Sequence, residues 1–157
     1  STNDPADPAV YAYIQTQMDV DEYINYIITE VYAANTDWPH FNVRYWRAYA
    51  PDSRWRWVLH DLDAGFGNHI SNGTKRNTLR LAMSRSGKRA YNALILRKLS
   101  QTPDFRAEFA QRFAAHLNTT YAPDRVIGMI DDLSGAIAPD MPAQIARWKM
   151  PKSLSEW

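Results

Sequence analysis

Two short stretches of the chain gather residue types that do chemistry. Asn35-Thr36-Asp37-Trp38-Pro39-His40-Phe41-Asn42 offers a carboxylate, two amides and an imidazole, and His60-Asp61-Leu62-Asp63-Ala64-Gly65-Phe66-Gly67 offers an Asp-x-Asp pair followed by glycines. Read alone, each is ordinary turn material, because Asp, Asn, Pro and Gly cap and reverse chains, and an Asp after a helix commonly closes an Asx turn. Read together they say more. If the intervening segment is a β-hairpin, the outer ends of its strands, Asn42 and Asp61, stand side by side at the strand spacing of about 5 Å. Asp37, Asn42 and the Asp61/Asp63 pair then surround one point. Crowded carboxylates repel unless a proton or a hard cation lies between them, and Mg²⁺ takes one or two carboxylates plus phosphate oxygens. A metal–phosphate site is the economical reading.

The elements that must position these residues follow from periodicity. Val10, Tyr11 and Ile14 after Pro8 suggest a short helix. Asp19 and Glu22 stand at capping-box spacing before Val20, Tyr23, Ile24, Ile27, Ile28, Val31 and Tyr32, which form one apolar helical face expected to end at Asn35. From Val43 the period approaches two: Tyr45 and Arg47 alternate with Arg44 and Trp46, Ala50 to Ser53 supply a turn, and Trp55, Trp57 and Leu59 alternate with Arg54, Arg56 and Val58. Such a hairpin puts Trp55 and Trp57 on one buried face and presents Arg44, Arg47, Arg54 and Arg56 as a solvated one. If its second strand stays extended, Asp61 and Asp63 project from the face of Trp57 and Leu59. Gly65 and Gly67 release the chain into a polar stretch from Asn68 to about Lys88, expected to be loop.

The remainder reads as helical. Tyr91, Leu94, Ile95 and Leu99 make one stripe; Thr102 and Pro103 open a helix bearing Phe105, Phe109, Phe113 and Leu117; Ala122 and Pro123 open another bearing Val126, Ile127, Ile130, Leu133 and Ile137. Pro139 and Pro142 punctuate before Ile145 and Trp148. All of these stripes are expected to be core. The fold class is mainly α with a small β-hairpin (α+β), as one domain or fragment: an N-terminal helix over 1–18, helix, loop and hairpin over 19–67, polar loop over 68–88, and a helical part over 89–157.

Composition narrows the function classes. With 18 Lys plus Arg against 17 Asp plus Glu, the net charge of +1 argues against a nucleic-acid binder that relies on a bulk basic field. Hydrophobic residues at 45% suffice for a packed core, and the absence of Cys excludes thiol catalysis, thiolate metal sites and disulfides. No apolar run approaches the roughly 18 residues that span a bilayer, and the first residues lack signal-peptide character. A chain that starts at Ser1 without Met and stops at Trp157, inside what reads as a new amphipathic start, is expected to be a fragment.

Several separated motifs carry a family resemblance. Tyr32-Ala-Ala-Asn-Thr-Asp-Trp-Pro, Tyr45-Trp-Arg, Trp55-Arg-Trp, Asp61-Leu-Asp with Gly65-Phe-Gly, and Pro103-Asp-Phe-Arg with Phe109 and Arg112 resemble the spore-coat protein H (CotH) kinase-like family from about Val20 to Trp148. The five-residue step from Asp37 to Asn42 is also the step between the catalytic Asp and the metal-binding Asn of protein-kinase catalytic loops. The resemblance implies an atypical protein kinase that transfers the γ-phosphate of ATP to Ser or Thr of an extracellular, cell-surface or spore-coat protein, with Mg²⁺ or Mn²⁺. It makes Asp37 the catalytic base, Asp61 the metal ligand with Asn42, and Asp63 the second candidate. Arg44, Lys75 and Arg76 are the expected substrate or phosphate contacts, Lys75 and Arg76 opening a basic run with Arg80, Arg85, Lys88 and Arg89.

A kinase also needs a glycine-rich strand-loop over the phosphates and a strand Lys to grip them. All five Lys residues, at 75, 88, 98, 149 and 152, follow the Asp61 motif on loop or helical segments. The chain therefore reads as a C-terminal lobe without its N-terminal lobe, inactive on its own. The alternative is a non-catalytic surface module that binds carbohydrate or coat protein, for which Trp38, Trp46, Trp55 and Trp57 would form a stacking platform; packing is the plainer use of those rings. A glycosidase with Asp37 and Asp61 as acid and base lacks an evident aromatic cleft. His40, His60, His69 and His116 show no metal-binding spacing.

Overall fold

The computed structural model describes residues 4–68, 70–84 and 92–157. It is mainly helical with one two-stranded antiparallel sheet, an α+β arrangement. Two units divide the chain, Ser1–Phe113 and Ala114–Trp157.

The first unit is organised by its second helix. Helix α1 runs Pro8–Gln17, with Asp7 as N-cap accepting from the Ala9 amide at 2.8 Å. Helix α2 runs Val20–Tyr32, its N-cap Asp19 accepting from the Glu22 amide at 3.4 Å as the Asp19/Glu22 spacing predicts. It stops before Asn35: Ala33 caps it and Ala34 turns left-handed at φ 51°. The apolar stripe buries Val20, Tyr23, Ile24, Ile27 and Ile28, but Val31 and Tyr32 are only half-buried, while Glu30 is fully enclosed.

Strands β1 (Arg44–Trp46) and β2 (Arg56–Val58) pair with Arg44 opposite Val58 and Tyr45 opposite Trp57. The hairpin is stitched to the helices through its second strand. Asp19 donates its amide to the Trp55 carbonyl and Trp55 its amide to Gln17, both at 2.9 Å, and the Trp57 amide reaches the Glu22 carboxylate at 3.0 Å. Asp19 also pairs with Arg56 at 2.8 Å and Arg54 at 3.3 Å, so these two arginines stay on the solvated face and anchor the hairpin from it.

The ladder ends at Val58, and Asp61 lies in the left-handed region at φ 58°. The alternation that would align Asp61 and Asp63 with Trp57 and Leu59 is therefore broken, since side-chain parity survives only while the backbone stays extended. Trp55 and Trp57 do share a face, through Tyr45, whose ring lies 5.5 Å from one and 6.0 Å from the other, but that face is open: Trp55 is exposed and Trp57 half-buried. Trp38 is core, whereas Trp46 is exposed.

The polar stretch after Gly67 is not all loop. A 3-10 turn over Gly73–Lys75 leads into α3, Thr78–Ala82, capped by Asn77 accepting from the Arg80 amide at 2.8 Å, with Thr78 and Ala82 buried. Arg85, Lys88, Arg89, Tyr91 and His69 lie outside the described residues. In α4, Leu94–Leu99, the inward side chains are Leu96 and Leu99, next to Ala93, and the expected Leu94 and Ile95 are exposed. Helix α5, Pro103–Asn118, stacks Phe105 on Phe109, and Phe109 meets Phe113 edge-on. The Thr102 hydroxyl donates to the Pro5 carbonyl at 2.7 Å, and Arg112 pairs with Asp21 at 2.9 Å.

The second unit continues with α6, Pro123–Ile137, a 3-10 turn over Ala138–Asp140 and α7, Met141–Trp148. The stripe on α6 forms at the expected spacing, yet it is not core: Ile127, Ile130, Leu133 and Ile137 are each at least 52% exposed. A period of 3.6 specifies an amphipathic helix without specifying what covers it. No helix among the described residues is long and apolar enough to cross a membrane.

Candidate functional site

The two chemistry-bearing stretches meet along a seam at the end of α2. The Thr36 amide and hydroxyl both reach the Ala64 carbonyl at 3.2 Å, and the Phe66 amide reaches Ala33 at 2.6 Å. Gly65 permits this approach. A Cβ there would stand 2.8 Å from the Leu62 carbonyl oxygen and 3.0 Å from that of Ala33.

Asn35 is the hub of the seam. Its Oδ1 accepts from the Asp37 amide at 3.2 Å, and its Nδ2 donates to Glu30 Oε2 at 2.8 Å and to the Asp61 carbonyl at 3.4 Å. One buried amide thus spans both loops, which holds the Asp37 nitrogen and the Asp61 carbonyl oxygen within about 9 Å of each other. Asn42 joins from the start of the hairpin, its Nδ2 reaching the same Asp61 carbonyl at 3.5 Å. The outer ends of the strands are side by side.

The backbone at this point is unusual. Asn42 at φ 57° and Asp61 at φ 58° both adopt the left-handed region, which Asn and Asp enter at less cost than other non-glycine residues. Asp37 heads a tight turn, its carbonyl accepting from His40 and Phe41 at 2.8 Å each, and Asn92 braces that turn by donating to Pro39 at 2.7 Å and His40 at 3.1 Å.

The side-chain chemistry follows. Asp37 is half-buried and Asp61 exposed, and neither carboxylate has a hydrogen-bond or ion-pair partner among the described residues. With its nitrogen engaged, Asn42 keeps its amide oxygen for another ligand. Asp63 is exposed, and its carbonyl accepts from Asn68 at 3.0 Å. His60, beside Asp61, has a buried Nε2 without a partner among the described residues. Among the described residues no group of three or more His, Asp or Glu gathers to hold a metal, so a cation here would rest on two carboxylates, an amide oxygen and oxygens of its own ligand.

The three expected basic contacts are placed differently. Lys75 closes the 3-10 turn whose Gly73 packs on Gly67 so closely that a Cβ on Gly73 would stand 2.6 Å from the Gly67 Cα, and Lys75 itself is exposed. Arg44 lies on β1 two residues beyond Asn42, and Arg76 follows the 3-10 turn; both are exposed.

Sequence reasoning missed Glu30 and took Asn35 for a helix stop. Glu30 sits four residues after Tyr26 and three after Ile27, on the apolar face, and a lone carboxylate at such a position is a detectable signal. Burial pushes its carboxyl up to about 7, while hydrogen bonding from Asn35 and the nearby Tyr26 hydroxyl draws it back. The Tyr26 hydroxyl lies beside the Glu30 carboxyl on the buried side of α2.

No curated protein and no solved structure matches the chain. The family described as CotH kinase protein matches residues 1–157, the whole length and not merely the Val20–Trp148 span of the motifs. The chain belongs to the CotH kinase family.

Proposed function

We propose that this chain is the catalytic-lobe portion of a CotH-type atypical protein kinase, which transfers the γ-phosphate of ATP to a Ser or Thr hydroxyl of an extracellular or coat protein. Asp37 orients the acceptor hydroxyl and takes its proton as the oxygen attacks phosphorus, the role of a catalytic-loop Asp. Asp61 and Asn42, with Asp63 as second candidate, hold Mg²⁺ or Mn²⁺. The donor set suits such ions, being all hard oxygen, and the bound cation neutralises charge on the nucleotide phosphates. Lys75, Arg44 and Arg76 are the contacts for phosphate or substrate.

One observation carries this reading: a single buried Asn35 amide ties the backbones of Asp37 and Asp61 together while both carboxylates are left without protein partners among the described residues. Phosphoryl transfer depends on positioning and charge neutralisation more than on covalent chemistry, and this is the minimum apparatus for both. The sequences of β1 and β2, Arg-Tyr-Trp and Arg-Trp-Val, supply no strand Lys. The phosphate grip therefore belongs to a separate lobe, and the isolated chain is a poor catalyst.

Calorimetry of the full chain with Mn²⁺ and ATP tests the assignment. Nucleotide binding should require the metal, vanish in Asp61→Ala and persist in Asp37→Ala, while Asp37→Ala abolishes phosphotransfer by the parent protein. Metal-dependent binding that is unchanged in Asp61→Ala rejects it. A second reading, a non-catalytic module for carbohydrate or coat protein, draws on an open cavity of about 530 Å³ lined by Tyr13, Tyr45, Trp55 and Trp57. Tight glycan binding without nucleotide affinity would favour it.

A further inference from the structure

The buried face of α2 carries a charge that the fold does not need. Glu30 has no exposed surface, in a helix whose neighbouring inward residues are Ile27 and Ile28. An apolar residue of similar size is commonly as stabilising as a buried ion or better, so a buried carboxyl calls for a use. Its contacts show one. Oε2 accepts from Asn35 Nδ2 at 2.8 Å, the shortest of the three hydrogen bonds that the Asn35 side chain makes, and this fixes which edge of the amide faces which loop. With Nδ2 pinned toward Glu30, Oδ1 faces the Asp37 amide and the second Nδ2 proton faces the Asp61 carbonyl. Reversing the amide would break all three bonds. Behind Glu30, the Tyr26 ring meets Trp38 edge-on at 6.4 Å, and Trp38 is the residue after Asp37.

We propose that Glu30 is a positioning residue for the Asp37–Asp61 pair, and that protonation of its carboxyl loosens the Asn35 clamp, so that the cation affinity of the site responds to pH through a group that never touches the cation. The proposal rests on the reading of Asp61 as a metal ligand. Tyr26 on α2 is the titratable group that acts on Glu30 directly; Asp37 and Asp61 lie one amide farther away, beyond Asn35. Burial raises the carboxyl to about 7, within a range where ordinary carboxylates stay ionised. Above that range the bond to Asn35 is charge-assisted; below it the bond is neutral and about half as strong.

The test follows the full chain by NMR from pH 5.5 to 8.5, with Mn²⁺ alone as the binding probe in parallel calorimetry. In the wild type, the Asn35 side-chain amide and the Asp37 backbone amide should share an inflection near 7. Mn²⁺ affinity should fall roughly fivefold from the alkaline to the acid end, the weight of one charge-assisted bond becoming neutral. Glu30→Gln keeps the shape and an acceptor oxygen but cannot titrate; it should lose both the inflection and the pH dependence. Asn35→Ser, a second variant, should uncouple the Asp37 amide from the titration. Flat amide signals in the wild type, or an inflection that survives in Glu30→Gln, overturn the clamp. An inflection lost in Glu30→Gln with no Mn²⁺ binding at any pH sustains the clamp and removes the kinase reading. Asp61-dependent Mn²⁺ binding with the same pH profile in wild type and Glu30→Gln sustains the kinase reading and overturns the clamp.

Discussion

Asp19→Ala tests how the hairpin is held against the helices. The Asp19 side chain does two jobs: it caps α2 through the Glu22 amide at 3.4 Å, and it receives Arg56 at 2.8 Å and Arg54 at 3.3 Å. Losing a cap removes about 1 kcal/mol. The ion pairs are discounted, because the Arg56 and Arg54 side chains are 47% and 41% exposed although Asp19 is only 10% exposed; each then adds no more than about 1 kcal/mol. The expected loss is about 1 to 3 kcal/mol. Urea unfolding followed by tryptophan fluorescence should show it as a lower midpoint with an unchanged slope. In 1 M salt only the capping share should remain. A double-mutant cycle with Arg56→Ala should return a coupling of about 1 kcal/mol. A loss under about 0.5 kcal/mol, or one indifferent to salt, refutes the view that this carboxylate fastens β2 to α2.

Other perturbations address the seam and the buried acid. Because the folded carboxyl of Glu30 lies at about 7 against an ordinary 4.5, the native state holds a proton that the unfolded chain releases, so this group's contribution is fully present below 4.5 and is lost as pH rises through about 7. The decline amounts to up to about 3 kcal/mol and should be absent in Glu30→Gln; a wild-type stability that climbs over that interval by the same amount contradicts it. Gly65→Ala drives a Cβ into the Leu62 and Ala33 carbonyl oxygens, both backbone, and should destabilise by about 1 to 3 kcal/mol and weaken Mn²⁺ binding, whereas Gly128→Ala, with open space around it, should not.

Much of this arrangement is legible in the residues because local and tertiary preferences agree. Asp19, Glu22 and the isoleucines of α2 specify a helix start and face together, and the alternating Arg and Trp residues with the Pro51-Asp52 turn specify the hairpin that carries Asn42 toward Asp61. The signals fail where the physics is not periodic. Asp61 leaves the extended region, and a single left-handed residue cancels a parity argument. Ala93, Leu96 and Leu99, not Leu94 and Ile95, mark the inward side of α4, because in a helix of six residues several stripes fit equally well. Asn77-Thr78 carried a cap signal that a polar composition hid. Asn35 looked like punctuation because a residue type common in turns does not reveal that its side chain faces inward, and the partners that make it a hub lie 5 and 26 residues away.

The most direct test of the central claim uses Mn²⁺ as a paramagnetic probe on the amide spectrum of the full chain, with ATP present. Broadening that is strongest at Asp37, Asn42, Asp61 and Asp63, fades with distance from them, and disappears in Asp61→Ala is the predicted result. Broadening centred elsewhere, or a spectrum that Mn²⁺ and ATP leave unchanged at these four residues, would contradict the account.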